Sequence, residues 1–449
     1  MGEGKAGRET APPRWPDAAD GTEPFPASTR AAPSCSGSES GSRVLSMTDS
    51  KLRALELVRP PLLALLFAAC GGSDVPSDST LGELYEVELG VEAVQVVGVP
   101  DGVTRVVDVQ PTADGRVWVL NSTAPLFTVL DGDGSQRAFG ERGGGPEEFD
   151  AAWALAPGGV PDEVWVLVVV RSAMVRVWPA SRVEIRLDPG STPPSSLISF
   201  QGAGINQAPP WVERVEGGWM LARDRSGLRE TALQTWSADL VRLGEDGALS
   251  PYAPVAEMVG DPGERYGDAA AILPYPLWTV CEDGSVGLYS PLTNSARRVS
   301  PAGEELSGHE LPTDRAVPIT ADRIFEMFYR QMQAGRPAGQ LPPMEQARQL
   351  TQEQNDELAR TSASSFPEYA RMACTAGGVL WLQEFDWRGT PLGQGNRWIR
   401  IAEDGSLTRF SMPEGFTVFR VAEDRGWGTL RDSLGVESVG WIPWNEVPR

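Results

Sequence analysis

One histidine, four cysteines and a few carboxylate-bearing turns are the material from which this 449-residue chain could build chemistry. His309 stands alone beside Glu310. A zinc site takes three or four protein ligands, and a single imidazole supplies neither that set nor a relay for acid–base work. His309 therefore reads as a surface or loop residue. Asp131, Asp133 and Glu141 have a calcium-like spacing, but the later ligands of a twelve-residue loop are missing. The Asp131-Gly132-Asp133-Gly134 run is better read as a hairpin turn. The Gly140 to Phe149 stretch, GERGGGPEEF, lies between two strands and does not open a helix, so it cannot cradle a phosphate as a P-loop does. There is no GxSxG elbow with a histidine partner. No catalytic residue, metal or cofactor is expected.

The elements that carry these residues repeat. Around the DGDG turn run short apolar segments: Thr104–Gln110, Arg116–Leu120, Leu126–Leu130 and Gln136–Phe139. Asp-Gly pairs between alternating apolar runs mark tight hairpin turns, so this is a four-stranded antiparallel meander. Such a unit has two faces to bury and cannot stand alone. Five degraded copies follow, at Trp153–Asp188, Trp211–Tyr252, Tyr275–Leu311, Tyr369–Met412 and Thr417–Trp444. Six units of about 40 residues, each of about four strands, predict a six-bladed β-propeller, an all-β fold. Trp118, Trp165, Trp219 and Trp381 share one position, in the strand after the turn, and are expected to be core between blades. Cys281 and Cys374 each end the first strand of adjacent units. Equivalent positions in neighbouring blades usually exceed the Cα separation of about 7 Å that a disulfide tolerates, so two buried thiols are the favoured reading, with a disulfide, which an exported protein could form, as the alternative.

Three Pro-bounded stretches interrupt the units: 189–210, 253–274 and 312–367. The last places Ile324, Phe325, Phe328 and Met332 at helical spacing over Ala321–Gln333, with Thr320 as N-cap, and a more polar helix over Met344–Ala359. The apolar stripe either packs onto the propeller or forms a lid over its axis. The loops between second and third strands hold Asn121, Asp224, Arg225, Thr293, Asn294, Trp387, Arg388, Arg431 and Asp432. In this register they gather on one face with Arg142 and Asp150. That would be a polar, arginine-containing mouth with an aromatic, suited to an acidic, peptide or glycan ligand, or an ordinary solvated loop face.

GERGGGPEEF, after its DGDG turn and third strand, resembles the connection between blades in NHL-type repeats and related bacterial six-bladed propellers. There a Gly-rich, Gly-Pro-containing turn ending in an aromatic leads into the next blade. The degenerate last unit, RDSLGVESVGWI at Arg431–Ile442, resembles the same group. The resemblance covers about Leu81 to Trp444. It implies the fold and an exported or lipid-anchored address, and leaves activity open. Metal-dependent lyases of this group use several axial histidines, which this chain cannot supply.

The N-terminus points to the same address. Residues 1–46 are rich in Pro, Gly, Ser and charge without periodicity, cannot bury a core, and are expected to be disordered. Met47 begins a better-formed N-terminus: Lys51, Arg53 and Arg59, then the apolar run Pro60–Ala69, then Cys70. This has the layout of a secretory signal and resembles a bacterial lipoprotein signal, with Cys70 as the lipidated residue. A plain export signal and a buried helix are the other readings. Residues 70–80 are expected to form a polar tether, and with Gly71 rather than Asp after the cysteine the resemblance to Gram-negative lipoproteins implies the outer membrane, facing the periplasm. Residues 81–449 form the propeller, with part of Leu81–Val97 completing the last blade, because closure removes exposed sheet edges. The net charge is −22, with no lysine after Cys70, which argues against a nucleic-acid partner. The expected protein is a lipid-anchored module binding an envelope protein, peptide or glycan. The alternative is a lyase or hydrolase using carboxylates and arginine at the axial mouth.

Overall fold

The computed structural model describes most of the chain from Leu84 to Trp444; the longest undescribed stretches within that span are 187–211, 225–236 and 260–276. The chain forms six antiparallel blades, whose first strands are Val106–Pro111, Ala152–Pro157, Glu213–Val215, Leu277–Val280, Tyr369–Cys374 and Phe416–Val421. These first strands touch one another in sequence, and the sixth touches the first, so they form the closed inner wall of a ring. This is the six-bladed β-propeller expected from the repeats.

The Asp-Gly turns work as their sequence suggests. Gly134 and Gly284 adopt φ of 86° and 76°, the left-handed region a side chain resists. The preceding aspartates, Asp133 and Asp283, each accept the backbone N–H two residues on, from Ser135 and Ser285, both at 2.9 Å. Asp246 and Asp404 repeat this with Ala248 and Ser406. A carboxylate that captures its own backbone fixes the turn and leaves none of its register to chance. The four tryptophans lie buried on the second strands of blades 1, 2, 3 and 5. Trp165 and Trp219 meet at 4.7 Å between ring centres, joining blades 2 and 3.

The ring closes through the N-terminal segment. Strand β2 (Gln95–Gly98) pairs antiparallel with Glu437–Pro443 and completes blade 6. Strand β1 (Tyr85–Glu88) does something the sequence pattern does not announce: it adds a fifth, parallel strand to the outer edge of blade 5, along Leu407–Ser411. Arg409 pins it there, donating to Glu86 at 2.8 Å and to the buried Glu384 at 2.7 Å.

Of the three interblade stretches, 189–210 and nearly all of 253–274 lie outside the described residues. In the third, α1 (Ala321–Ala334) and α2 (Met344–Thr361) form a helical pair. Thr320 caps α1, its hydroxyl accepting the Arg323 N–H at 3.3 Å. Phe325 and Tyr329 pack with Ala347 of α2, while Ile324 and Met327 pack on Phe366, at the end of the insertion, and on Trp387 of blade 5. The stripe is thus split between two partners, one for each side of α1.

Candidate functional site

Around the axis the inner strands expose backbone groups that no sheet partner can reach, and buried groups of this kind need hydrogen bonds. Charged side chains from neighbouring blades provide them. Asp108, on the first strand of blade 1, accepts the Leu155 N–H of blade 2 at 2.8 Å and its neighbour Val109 N–H at 2.9 Å. Arg420 of blade 6 donates to Asp108 Oδ2 and to the Leu155 carbonyl, each at 2.7 Å, and to Gln110 Oε1 at 3.2 Å. Arg371 of blade 5 reaches the Val418 and Phe419 carbonyls of blade 6, both at 3.3 Å. Glu213 of blade 3 accepts Thr279 Oγ1 at 2.8 Å and the Val280 N–H at 2.7 Å from blade 4. Trp219 Nε1 donates to the Pro157 carbonyl between blades 3 and 2 at 3.4 Å.

The interface between blades 4 and 5 is tied covalently. Cys281 and Cys374 form a disulfide, with Cα atoms 5.0 Å apart. This corrects the favoured reading of two buried thiols and bears out the alternative. Blades taper toward the axis, so residues at the ends of two neighbouring first strands come closer than equivalent residues farther out.

β-Bulges aim the axial side chains. Register shifts fall just before Asp108, Ala154, Arg371 and Arg420 in the first strands of blades 1, 2, 5 and 6. A bulge turns the following residue relative to the pleat, and three of these four residues are ionisable. The electrostatics follow from burial. Burial pushes the Asp108 carboxyl above the usual range, opposed by the charges of Arg420 and Arg371. Burial, then the charge of Arg420, push Arg371 down to about 10. Nothing in the sequence separates these residues from ordinary strand positions; only the bulge reveals their direction.

In a propeller of consecutive meanders, the loops between second and third strands share one face with the interblade connections. The structure locates the sequence-derived residues on that face unevenly. Arg142 is exposed, and its guanidinium bonds the Ser122 carbonyl in the blade 1 loop. Arg388 is exposed and lies 4.7 Å over the ring of Trp387. Trp387 itself is only 9% exposed, stacked against Phe366 beneath α1, so it holds the helical pair more than it offers a ring to solvent. Gln331 of α1 adds a bond to the Gly389 carbonyl at 2.7 Å. Arg431 ends the second strand of blade 6, its N–H bonded to Gly415 O; Asp432 accepts the Leu434 and Val436 N–H groups, each at 2.9 Å, and makes the turn. Asn121 and Asn294 also serve their loops, donating to Pro125 O and to Leu311 O. Asp224 ends a strand opposite Ala238, and Asp150 and Arg225 lie outside the described residues. In the Gly-rich connection, Glu148 folds back on the Gly145 N–H at 2.7 Å, and Phe149 packs edge-on against Phe127.

His309 is not a loop residue. It lies half-buried on the strand Glu305–Glu310, beside a small cavity of about 60 Å³ shared with Arg298, Ser307 and Glu403 between blades 4 and 5. Burial lowers its pKa, opposed by the charge of Asp404. Among the described residues, no group of three or more His, Cys, Asp or Glu is placed to hold a metal.

The ring of six blades, with its tied axis and insertion-bearing face, defines the chain as a six-bladed β-propeller. The chain shares similarity with virginiamycin B lyase from Staphylococcus aureus: 14% identity, TM-score 0.39, covering 78% of this chain and 88% of that one. Regucalcin, a calcium-binding protein from Agrobacterium tumefaciens, is 12% identical with TM-score 0.39, covering 80% and 96%. The PQQ-bound aldose sugar dehydrogenase of Streptomyces coelicolor is 12% identical with TM-score 0.38, covering 78% and 96%. Likenesses this distant carry no activity to this chain, and its architecture stands on its own sheets. No family profile and no curated protein matches the sequence.

Proposed function

We propose that this is an exported, lipid-anchored propeller that binds a protein, peptide or glycan ligand of the cell envelope on its insertion-bearing face. The observation that carries the reading is the helical pair α1–α2. It is fixed to the propeller by Ile324, Met327, Phe366 and Trp387, and so presents a pre-formed raised edge on that face, beside the exposed Arg388. Pre-formed surfaces bind without the cost of ordering them first. The signal-like segment ending at Cys70 supports a lipid anchor and an outer-membrane, periplasm-facing address. The disulfide between Cys281 and Cys374 supports an oxidising compartment.

The enzymatic alternative draws on one observation, the buried Asp108 beside Arg420 with its proton affinity raised. Against it, both carboxylate oxygens already accept hydrogen bonds from backbone or guanidinium donors. The test is photocrosslinking in native envelopes from position 388 on the insertion face and position 404 on the opposite, turn face. The binding reading expects a reproducible adduct from 388 and none from 404. Equal labelling from both, or none from 388 under conditions where crosslinking is efficient, would sink it.

A further inference from the structure

The cavity of about 60 Å³ that His309 borders lies between blades 4 and 5. A single water needs about 10–15 Å³ of such space, so a group of about four to six non-hydrogen atoms fits there. Strand register gathers the polar side chains around it. On blade 4, Arg298 stands directly opposite Ser307, and Ala296 opposite His309. Side chains two residues apart on a strand share a face, so Arg298, Ser307 and His309 lie on one face of blade 4, the one that blade 5 covers. The burial pattern agrees: Ser307 and His309 are half-buried, while Leu306, Gly308 and Glu310 are exposed. Blade 5 adds the apolar Leu380 and Ile401, Gly378 of one turn and the exposed Glu403 of another. Glycine makes room in both turns. Gly378 and Gly405 have φ of 74° and 83°. Arg298 Nη1 stands 1.0 Å from where a Cβ on Gly378 would lie, and His309 Nδ1 stands 3.2 Å from one on Gly405. The Gly378 turn is fixed to blade 4, because it follows directly on Cys374, which is bonded to Cys281.

The donors at this cavity are unspent. Arg298 Nη1 reaches the Gly377 carbonyl at 3.4 Å, but the Nε–H is buried with no hydrogen-bond partner. Among the described residues, no hydrogen bond engages the His309 ring or the Ser307 hydroxyl. A buried donor without an acceptor is costly, and a ligand oxygen would remove the cost. We propose that this cavity is a seat for a small oxyanion, a carboxylate or phosphate, with Arg298 Nε, the Ser307 hydroxyl and a ring N–H of His309 as its donors. A guanidinium suits such oxygens in charge and in planar geometry. Arg298 supplies the fixed positive charge, and His309 donates in the neutral form that burial favours. Glu403 is exposed at the rim, where water screens it from the seat. Asp283 also acts on Arg298 through its charge, but its Oδ1 is held by Ser285. A metal ion is a poor occupant: Arg298 repels it, and among the described residues no set of three ligands converges. The seat is independent of the insertion-bearing face. Its walls are turns on the opposite face, and an anion of this size leaves no macromolecular adduct at position 404.

The chain's single histidine is the probe. The full chain, without a histidine tag and with carbon-13 in its histidine ring, is held in detergent at fixed pH and ionic strength. It is titrated with acetate, with inorganic phosphate, and with acetamide as the neutral isostere of acetate. A saturable shift of the His309 ring signals is expected with acetate or phosphate and none with acetamide; the tighter of the two oxyanions names the group. Arg298→Gln should weaken binding by at least about tenfold, the affinity that a hydrogen bond to a charged group carries. Arg298→Lys keeps the charge and loses the fork, so it should also weaken binding, and it serves where the glutamine variant does not fold. No shift with either oxyanion, an unsaturable drift shared by all three solutes, or unchanged affinity in whichever variant folds would overturn the proposal.

Discussion

Removing the Cys281–Cys374 disulfide should lower the stability of the propeller by an amount its position makes calculable. The bridge closes a loop of 93 residues that contains all of blade 4 beyond its first strand and the α1–α2 insertion. In the chain-entropy treatment a loop of that length restricts the unfolded chain by about 4.6 kcal/mol, and measured values for native bridges typically fall at about 2–4 kcal/mol. The folded state has further ties at the same ring, including Arg371 to blade 6 and Glu213 to blade 4, so the ring should survive reduction in a weakened form. With roughly 360 residues and about 2.1 cal/mol/K of unfolding entropy per residue, about 3 kcal/mol corresponds to a fall of about 4 °C in Tm. The assay compares melting of the wild type and the Cys281→Ala/Cys374→Ala variant, each with and without a phosphine reductant. The wild type should fall to the level of the variant on reduction, and the variant should not respond. Two titratable thiols at these positions in the protein isolated from its native cells, or a melting point indifferent to reductant, would refute the reasoning.

Other consequences follow from single contacts. A chain beginning at Pro100 loses β1 and β2, leaves an open edge on blade 6, and should melt well below the wild type; equal melting of the two would refute closure by the N-terminal segment. Trp387→Ala should free the helical pair, at a local cost of about 3–5 kcal/mol, seen as rapid proteolysis within α1 and α2 while the propeller melts nearly as before. His309 has a lowered folded-state pKa, so the unfolded chain binds its proton more tightly, and stability should fall as pH drops below the ordinary imidazole value of about 6.5. His309→Gln should remove that component, read from melting points between about pH 7 and pH 5.

Much of the fold is legible in the sequence because its signals are local. Asp133-Gly134 and Asp283-Gly284 write their turns into adjacent residues, the tryptophans mark equivalent strands, and the periodicity of Ile324, Phe325 and Phe328 marks α1. The axial layer is different. Asp108 and Arg420 sit 312 residues apart, and their meeting depends on ring closure and on bulges that leave no compositional trace. The disulfide is the less favoured reading of the sequence for a related reason: ring geometry, not spacing, brings Cys281 to Cys374. Tyr85–Glu88 shows alternation enough for a strand, but not that its partner is parallel and belongs to blade 5. Trp387 reads as an exposed loop aromatic until α1 is seen to cover it.

The central claim, that the insertion-bearing face is the working surface, is most directly tested by hydrogen exchange. The full-length protein would be compared in membranes of its native cells and after purification in detergent. The account predicts slower exchange in the membranes across 316–334 and 387–389, with the Asp-Gly turns at 131–135, 282–285 and 402–406 unchanged. Identical exchange on the insertion face in both states, or protection confined to the Asp-Gly turns, would contradict it.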